Sequence, residues 1–216
     1  RASHVAVRVR LHLPSAGVLR LTVRDGLISA DIRDLCQSKD GALWFAVDGG
    51  VCRYDGAAFV NYTEPDGLGN GKVMDLEPGP DGILWCATWS GVAQFDPNTF
   101  TAFTAKDGLI RPSGEFSGSG SGVLSLASSP GGGMVLGTEW AGLFRCDGSE
   151  ISRVVPSLMT AYVRALHRAA DGVLWIGTHE GLFRYDGKVL TKAVNQNWIA
   201  PVSSEATSEI RVIRSS

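Results

Sequence analysis

The chain has 216 residues, 44% of them apolar and 19% charged, with a formal net charge of -2. That composition suffices for one sizeable core, and it excludes the clustered basic surface that a nucleic-acid-binding domain needs. No apolar run approaches the ~18 residues of a membrane-spanning helix, and the start at Arg1 rather than Met leads us to expect a fragment or a processed form.

At the N-terminus Val5, Val7, Val9, Leu11 and Leu13 alternate with Ala6, Arg8, Arg10 and His12, the pattern of a half-buried strand. Residues 14–17 read as a turn and 18–23 as a second strand. From residue 25 onward the chain repeats itself. Leu27, Leu68 and Leu109 stand 41 residues apart, each closing an Asp-Gly-Leu, and Leu158 is a fourth copy with Pro156-Ser157 before it. The first strand of each unit is expected five residues later, at Ile32, Val73 and Val163. In the third unit it comes late, at Val123, so residues 110–122 carry an insertion of nine, rich in Gly and Ser.

Each unit then holds a second phrase. It reads Asp40-Gly41-Ala42-Leu43-Trp44, Asp81-Gly82-Ile83-Leu84-Trp85 and Asp171-Gly172-Val173-Leu174-Trp175, with a degenerate copy at Gly132-Gly133-Met134-Val135-Leu136. In the last unit, strands are expected at 163–166, 174–177, 182–185 and 189–192, separated by Asp-Gly and Glu-Gly turns. Gly and Asp tolerate the positive φ that hairpin turns require. About 41 residues folded as four antiparallel strands make one blade of a β-propeller. The expectation is a single all-β propeller over 1–216, with blades at 25–65, 66–106, 107–155 and 156–194. Residues 1–24 and 195–216 would supply partial blades, the latter through a strand-like segment at 210–213. Joined, they would close a composite fifth blade. Alternatively, the chain is a piece of a larger propeller, closed by a missing segment or by self-association.

The repeat identifies scaffold. Cys52, Cys86 and Cys146 fall where sister units carry small or apolar residues, so they are expected to be buried free thiols. Cys36 matches Glu77 and His167, a more polar position. No Cys-x-x-Cys pair suggests zinc or redox chemistry. Trp44, Trp85 and Trp175 share one position on the second strand and are expected to pack between blades.

What the repeat does not explain is the candidate site. Trp89 and Trp140 fall in turns between the second and third strands, and Trp198 in the connection after the last full blade. In a propeller such turns and connections emerge on one face. The same turns supply Asp48, Glu139, His179 and Glu180, and the insertion adds Arg111, Glu115 and Phe116. Aromatic faces stack on sugar rings or planar ligands while convergent polar groups orient them. A small-molecule or glycan ligand, or a protein partner, is therefore expected on this face. Two alternatives stay open: a metal-dependent lyase or hydrolase using Glu139, His179 and Glu180, and a protein-interaction scaffold. No phosphate loop, dinucleotide fingerprint or Gly-x-Ser-x-Gly stands in a strand–turn–helix context, and no cofactor is expected.

The phrase at 170–187, x-Asp-Gly-x-Leu-Trp-x-Gly-Thr-x-x-Gly-Leu-x-Arg-Tyr-Asp-Gly, with the Asp-Gly-Leu openings at 25–27, 66–68 and 107–109, resembles the two-component regulator propeller repeat. The resemblance covers about residues 25–192. It implies an extracytoplasmic sensor region of a bacterial hybrid histidine kinase, periplasmic or extracellular, of a kind often associated with glycan fragments. Such propellers usually have seven blades, whereas this chain holds four complete repeats. A weaker resemblance links Ser38–Trp44 to the Asp-box hairpin of sialidase-type propellers, one residue short in its Asp-to-Trp spacing. That motif is structural and implies no glycosidase activity.

Overall fold

The computed structural model describes residues 20–79, 81–96, 99–109, 122–158 and 161–193. They form four sheets, each a four-stranded antiparallel meander in chain order. The first blade holds β1 (Ile32–Gln37), β2 (Leu43–Val47), β3 (Gly50–Tyr54) and β4 (Phe59–Tyr62). The second holds β5 (Val73–Pro78), β6 (Leu84–Thr88), β7 (Gly91–Asp96) and β8 (Thr99–Thr104). The third holds β9 (Val123–Ser128), β10 (Met134–Thr138), β11 (Leu143–Cys146) and β12 (Ile151–Arg153). The fourth holds β13 (Val163–Arg168), β14 (Leu174–Thr178), β15 (Gly181–Tyr185) and β16 (Leu190–Lys192). The inner strands β1, β5, β9 and β13 lie side by side in that order. This is an all-β propeller built of four-stranded blades. The first N-terminal strand, the segment 210–213 and the composite fifth blade lie outside the described residues. Of the second strand expected at 18–23, residues 20–22 form no strand and Val23 instead opens the 3-10 turn capped by Thr22, so the strand does not extend this far.

The repeated aspartates build turns. Between the first and second strands, Asp40, Asp81 and Asp171 accept the backbone N–H two residues on, at 3.3, 3.1 and 3.0 Å. The glycine between them stands at φ 87, 90 and 84° in the three turns, a conformation a side chain would strain. Between the third and fourth strands, Asp55, Asp147 and Asp186 each accept two successive N–H groups in the same manner. The Asp-Gly-Leu openings close short 3-10 turns in which Thr22, Thr63 and Thr104 form capping boxes with Asp25, Asp66 and Asp107. Leu27, Leu68, Leu109 and Leu158 then drop into the core at no more than 3% exposure.

Packing between blades follows the tryptophans. Trp44 lies in a buried cluster with Leu76, Cys86 and Phe95 of the second blade, and Trp85 in one with Leu126, Leu136 and Phe144 of the third. Trp175 on β14 is half-buried. All four cysteines are free; Cys52, Cys86 and Cys146 are buried and Cys36 partly so.

Candidate functional site

The turns between second and third strands sit at one end of the blades, three of them fastened to the residue that leads into their own inner strand. Trp89 N–H donates to Lys72 O at 3.1 Å, Glu139 N–H to Gly122 O at 2.9 Å and His179 N–H to Tyr162 O at 3.2 Å. Asp48 forms an antiparallel bridge with Lys72. Two of these turns also bond to the chain leading into the next blade, through Gly49 N–H to Gly71 O and Gly142 N–H to Ala161 O. The turns therefore form a rim tied across the first and third seams rather than independent tips.

The best-formed part of the rim spans the third and fourth blades. The third turn is one residue longer than its sisters, and Trp140 takes a left-handed φ of 64° there, the single such residue besides glycine among those described. Its side chain is 43% exposed. The indole meets Tyr162 edge-on at 5.0 Å and His179 at 5.2 Å, the orientation that aromatic quadrupoles favour. His179 Nδ1 accepts the Tyr162 N–H at 3.2 Å, and its Nε2 lies 3.7 Å from Glu180 Oε1. The Arg164 guanidinium lies 4.6 Å from the Tyr162 ring centre. The result is an exposed indole braced on two sides by Tyr162 and His179, which in turn contact a guanidinium and a carboxylate.

The other expected residues are placed along the same rim. Trp89 is half-buried under Lys72, whose Nζ lies 4.0 Å from its ring centre. Glu139 turns towards Gly122, and its buried Oε2 has no hydrogen-bond partner. Asp48 Oδ1 accepts from Arg33 Nη2 at 3.3 Å. Trp198, Arg111 and Phe116, with the rest of 110–121, lie outside the described residues.

One grouping weighed from sequence does not form. Among the described residues no three His, Cys, Asp or Glu side chains are placed to hold a metal ion. Glu139 turns towards Gly122 while His179 engages Tyr162 through Nδ1 and lies near Glu180 through Nε2, so Glu139, His179 and Glu180 form no metal-holding group. Two rim residues were not expected from sequence: Lys72 and Tyr162. Both occupy the position just before an inner strand, equivalent to Asp31 and Gly122, and aligning that position across the repeats would have exposed them.

Residues 157–180 match the family model described as two component regulator propeller. No curated protein matches the chain in sequence. The fold is similar to that of the extracellular domain of BT4673 from B. thetaiotaomicron, described as a one component system, at 21% identity and a TM-score of 0.62. That match covers 78% of this chain but 23% of the other, so the chain spans about a quarter of its length. Virginiamycin B lyase from Staphylococcus aureus is similar at 16% identity and a TM-score of 0.58, over 75% of this chain and 55% of the enzyme. The computationally designed Ika4 protein is similar at 18% identity and a TM-score of 0.54, over 74% of this chain and 93% of that one. At these identities the likeness is one of fold.

Proposed function

We propose, for a chain of the two component regulator propeller family, that this propeller is a non-catalytic recognition module, the ligand-sensing part of an extracytoplasmic signalling protein. Its binding face is the rim carrying Trp140, His179, Glu180, Tyr162, Lys72 and Trp89. The observation that carries this reading is Trp140 itself. The repeat does not require it, its backbone is held in a costly conformation, and its indole is presented outward on an aromatic brace. Strain held in place by surrounding structure marks functional sites more often than scaffold. An exposed indole face suits a sugar ring, whose C–H groups stack on the ring while its hydroxyls reach polar groups elsewhere on the rim. The likeness to extracellular domains supports placing this face outside the cytoplasm. A lyase reading is not favoured, because the three candidate ligands form no metal-holding group. The test is a glycan-array screen comparing the native chain with a Trp89→Ala/Trp140→Ala variant, read beside thermal melting.

A further inference from the structure

The seam between the third and fourth blades departs from the other two, and the departure leaves a cavity. Strand pairing aligns Trp44 on β2 and Trp85 on β6 with Val135 on β10, and aligns Tyr62 on β4 and Phe103 on β8 with Val154 just after β12. In the first seam Trp44 and Tyr62 stack at 5.8 Å and 20°, and both pack on Phe95 of the next blade at 5.0 Å. In the third seam the counterpart of Phe95 is Tyr185, and the two rings that should meet it are valines. Between them lies a cleft of about 350 Å³, lined by Val135, Val154, Leu174, Tyr185, Arg145 and Arg168. That volume is within the range of small-molecule sites.

Its polar groups follow from the same substitution. In the first blade the Trp44 indole N–H donates to Ser38 Oγ at 2.9 Å, and the Arg53 guanidinium stands 5.8 Å from the Trp44 ring centre. In the third blade the corresponding serine, Ser129, instead accepts from Arg145 Nε at 3.1 Å, and Arg145 Nη2 donates to Gly132 O at 3.2 Å. From the fourth blade Arg168 donates to Ser128 O at 2.6 Å and to Gly172 O at 2.8 Å. Among the described residues neither guanidinium forms an ion pair. Each has five N–H donors and uses two. The carboxylate at the margin, Asp186, is held by the Lys188 and Val189 N–H groups and lies 3.9 Å from Arg184.

We propose that this cleft binds a planar aromatic acid. Its ring would fill the space that Trp44 and Tyr62 occupy in the first seam, against Val135, Val154 and Tyr185. Its carboxylate would accept from the remaining donors of Arg145 and Arg168, the geometry in which guanidinium groups recognise carboxylates most strongly. Ser129 Oγ retains a lone pair for a ring N–H, as Ser38 provides to Trp44. The cleft is bordered by Pro130, Gly172 and Gly187 in the turns at the opposite end of the blades from the Trp140 rim, so binding in the cleft is independent of binding at the rim.

The test is calorimetric titration with indole-3-acetate, indole and inorganic phosphate. The acid should bind saturably and about tenfold or more tighter than either indole or phosphate. Val135→Trp should restore the indole of the repeat, remove binding of the acid and leave the melting temperature unchanged or higher. Val154→Phe, a smaller filling of the same space, should weaken binding about tenfold or more if the first variant does not fold. Arg145→Gln should bring the acid down to the affinity of indole. Absence of saturable binding, equal affinity for indole and its acid, phosphate binding as tightly as the acid, or unaltered binding in a folded Val135→Trp or Val154→Phe protein would each overturn the assignment.

Discussion

Asp75 Oδ2 accepts the backbone N–H of Leu126 at 2.7 Å, joining the inner strand of the second blade to that of the third. Asp34 Oδ2 does the same for Leu76 at 2.9 Å, one seam earlier. Both acids sit just past a bulge in the inner strand, which re-aims the side chain along the row of blades. The equivalent residue in the third blade is Ser125, whose buried Oγ has no partner. There the Arg168 bond to Ser128 O spans the seam instead. The seam that lacks the acid latch is also the one that carries the cavity.

That difference predicts unequal responses to truncation. Asp75→Ala leaves the Leu126 N–H unsatisfied and should cost about 1–3 kcal/mol. Ser125→Ala removes a buried hydroxyl without a partner and should lie within about 0.5 kcal/mol of the native protein, or be stabilising. Urea denaturation of both variants gives the comparison, and equal losses would contradict the latch.

The inner acids also predict a pH dependence. Desolvation, then the charge of Asp34, raises Asp75 well above the ordinary carboxylate range and Glu77 from 4.5 to about 7. Unfolded Glu77 releases its proton near the ordinary value, whereas the folded protein holds it to about 7. Between those limits the folded state binds more protons at Glu77, so its contribution to stability falls as pH rises through that window and levels off above it. The contribution is on the order of 1–3 kcal/mol. Melting temperature against pH should show this descending limb, and Glu77→Gln should make it shallower, leaving the part that belongs to Asp75.

The interblade tryptophans should differ among themselves. Trp44, 3% exposed and in contact with Tyr62 and Phe95, should cost about 3–5 kcal/mol on replacement by Ala. Trp175 is half-buried, and the same replacement should cost less. Thermal or chemical denaturation ranks the two.

Trp140 should behave in the opposite way. Its φ of 64° favours glycine, so Trp140→Gly should be neutral or stabilising by up to about 1 kcal/mol. A loss of several kcal/mol would make Trp140 a packing residue.

The blade architecture was legible because hairpin chemistry is local. The Asp-Gly phrases and the spacing of Leu27, Leu68, Leu109 and Leu158 determine turns that need nothing from distant chain. The scaffold role of Trp44 and Trp85 was legible from their shared position. The Asp34 and Asp75 latches were not, because they depend on a bulge that turns a side chain towards another blade, and a bulge leaves little trace in a hydrophobic pattern. Tyr162 and Lys72 escaped notice because the contacts that matter, with Trp140 and Trp89, are between strand ends rather than within a turn. The degenerate copy containing Val135 was visible as a departure, but that it empties a seam follows only once Val154 is known to share the space.

Ligand recognition by the Trp140 rim is tested most directly by glycan-array binding of the native chain against Trp89→Ala/Trp140→Ala, each with its melting curve. The predicted result is a defined set of bound glycans for the native chain, lost in the variant, with melting temperatures nearly equal. Unaltered binding in the variant together with a large fall in melting temperature would contradict it, since both tryptophans would then serve only to pack the loops beneath them.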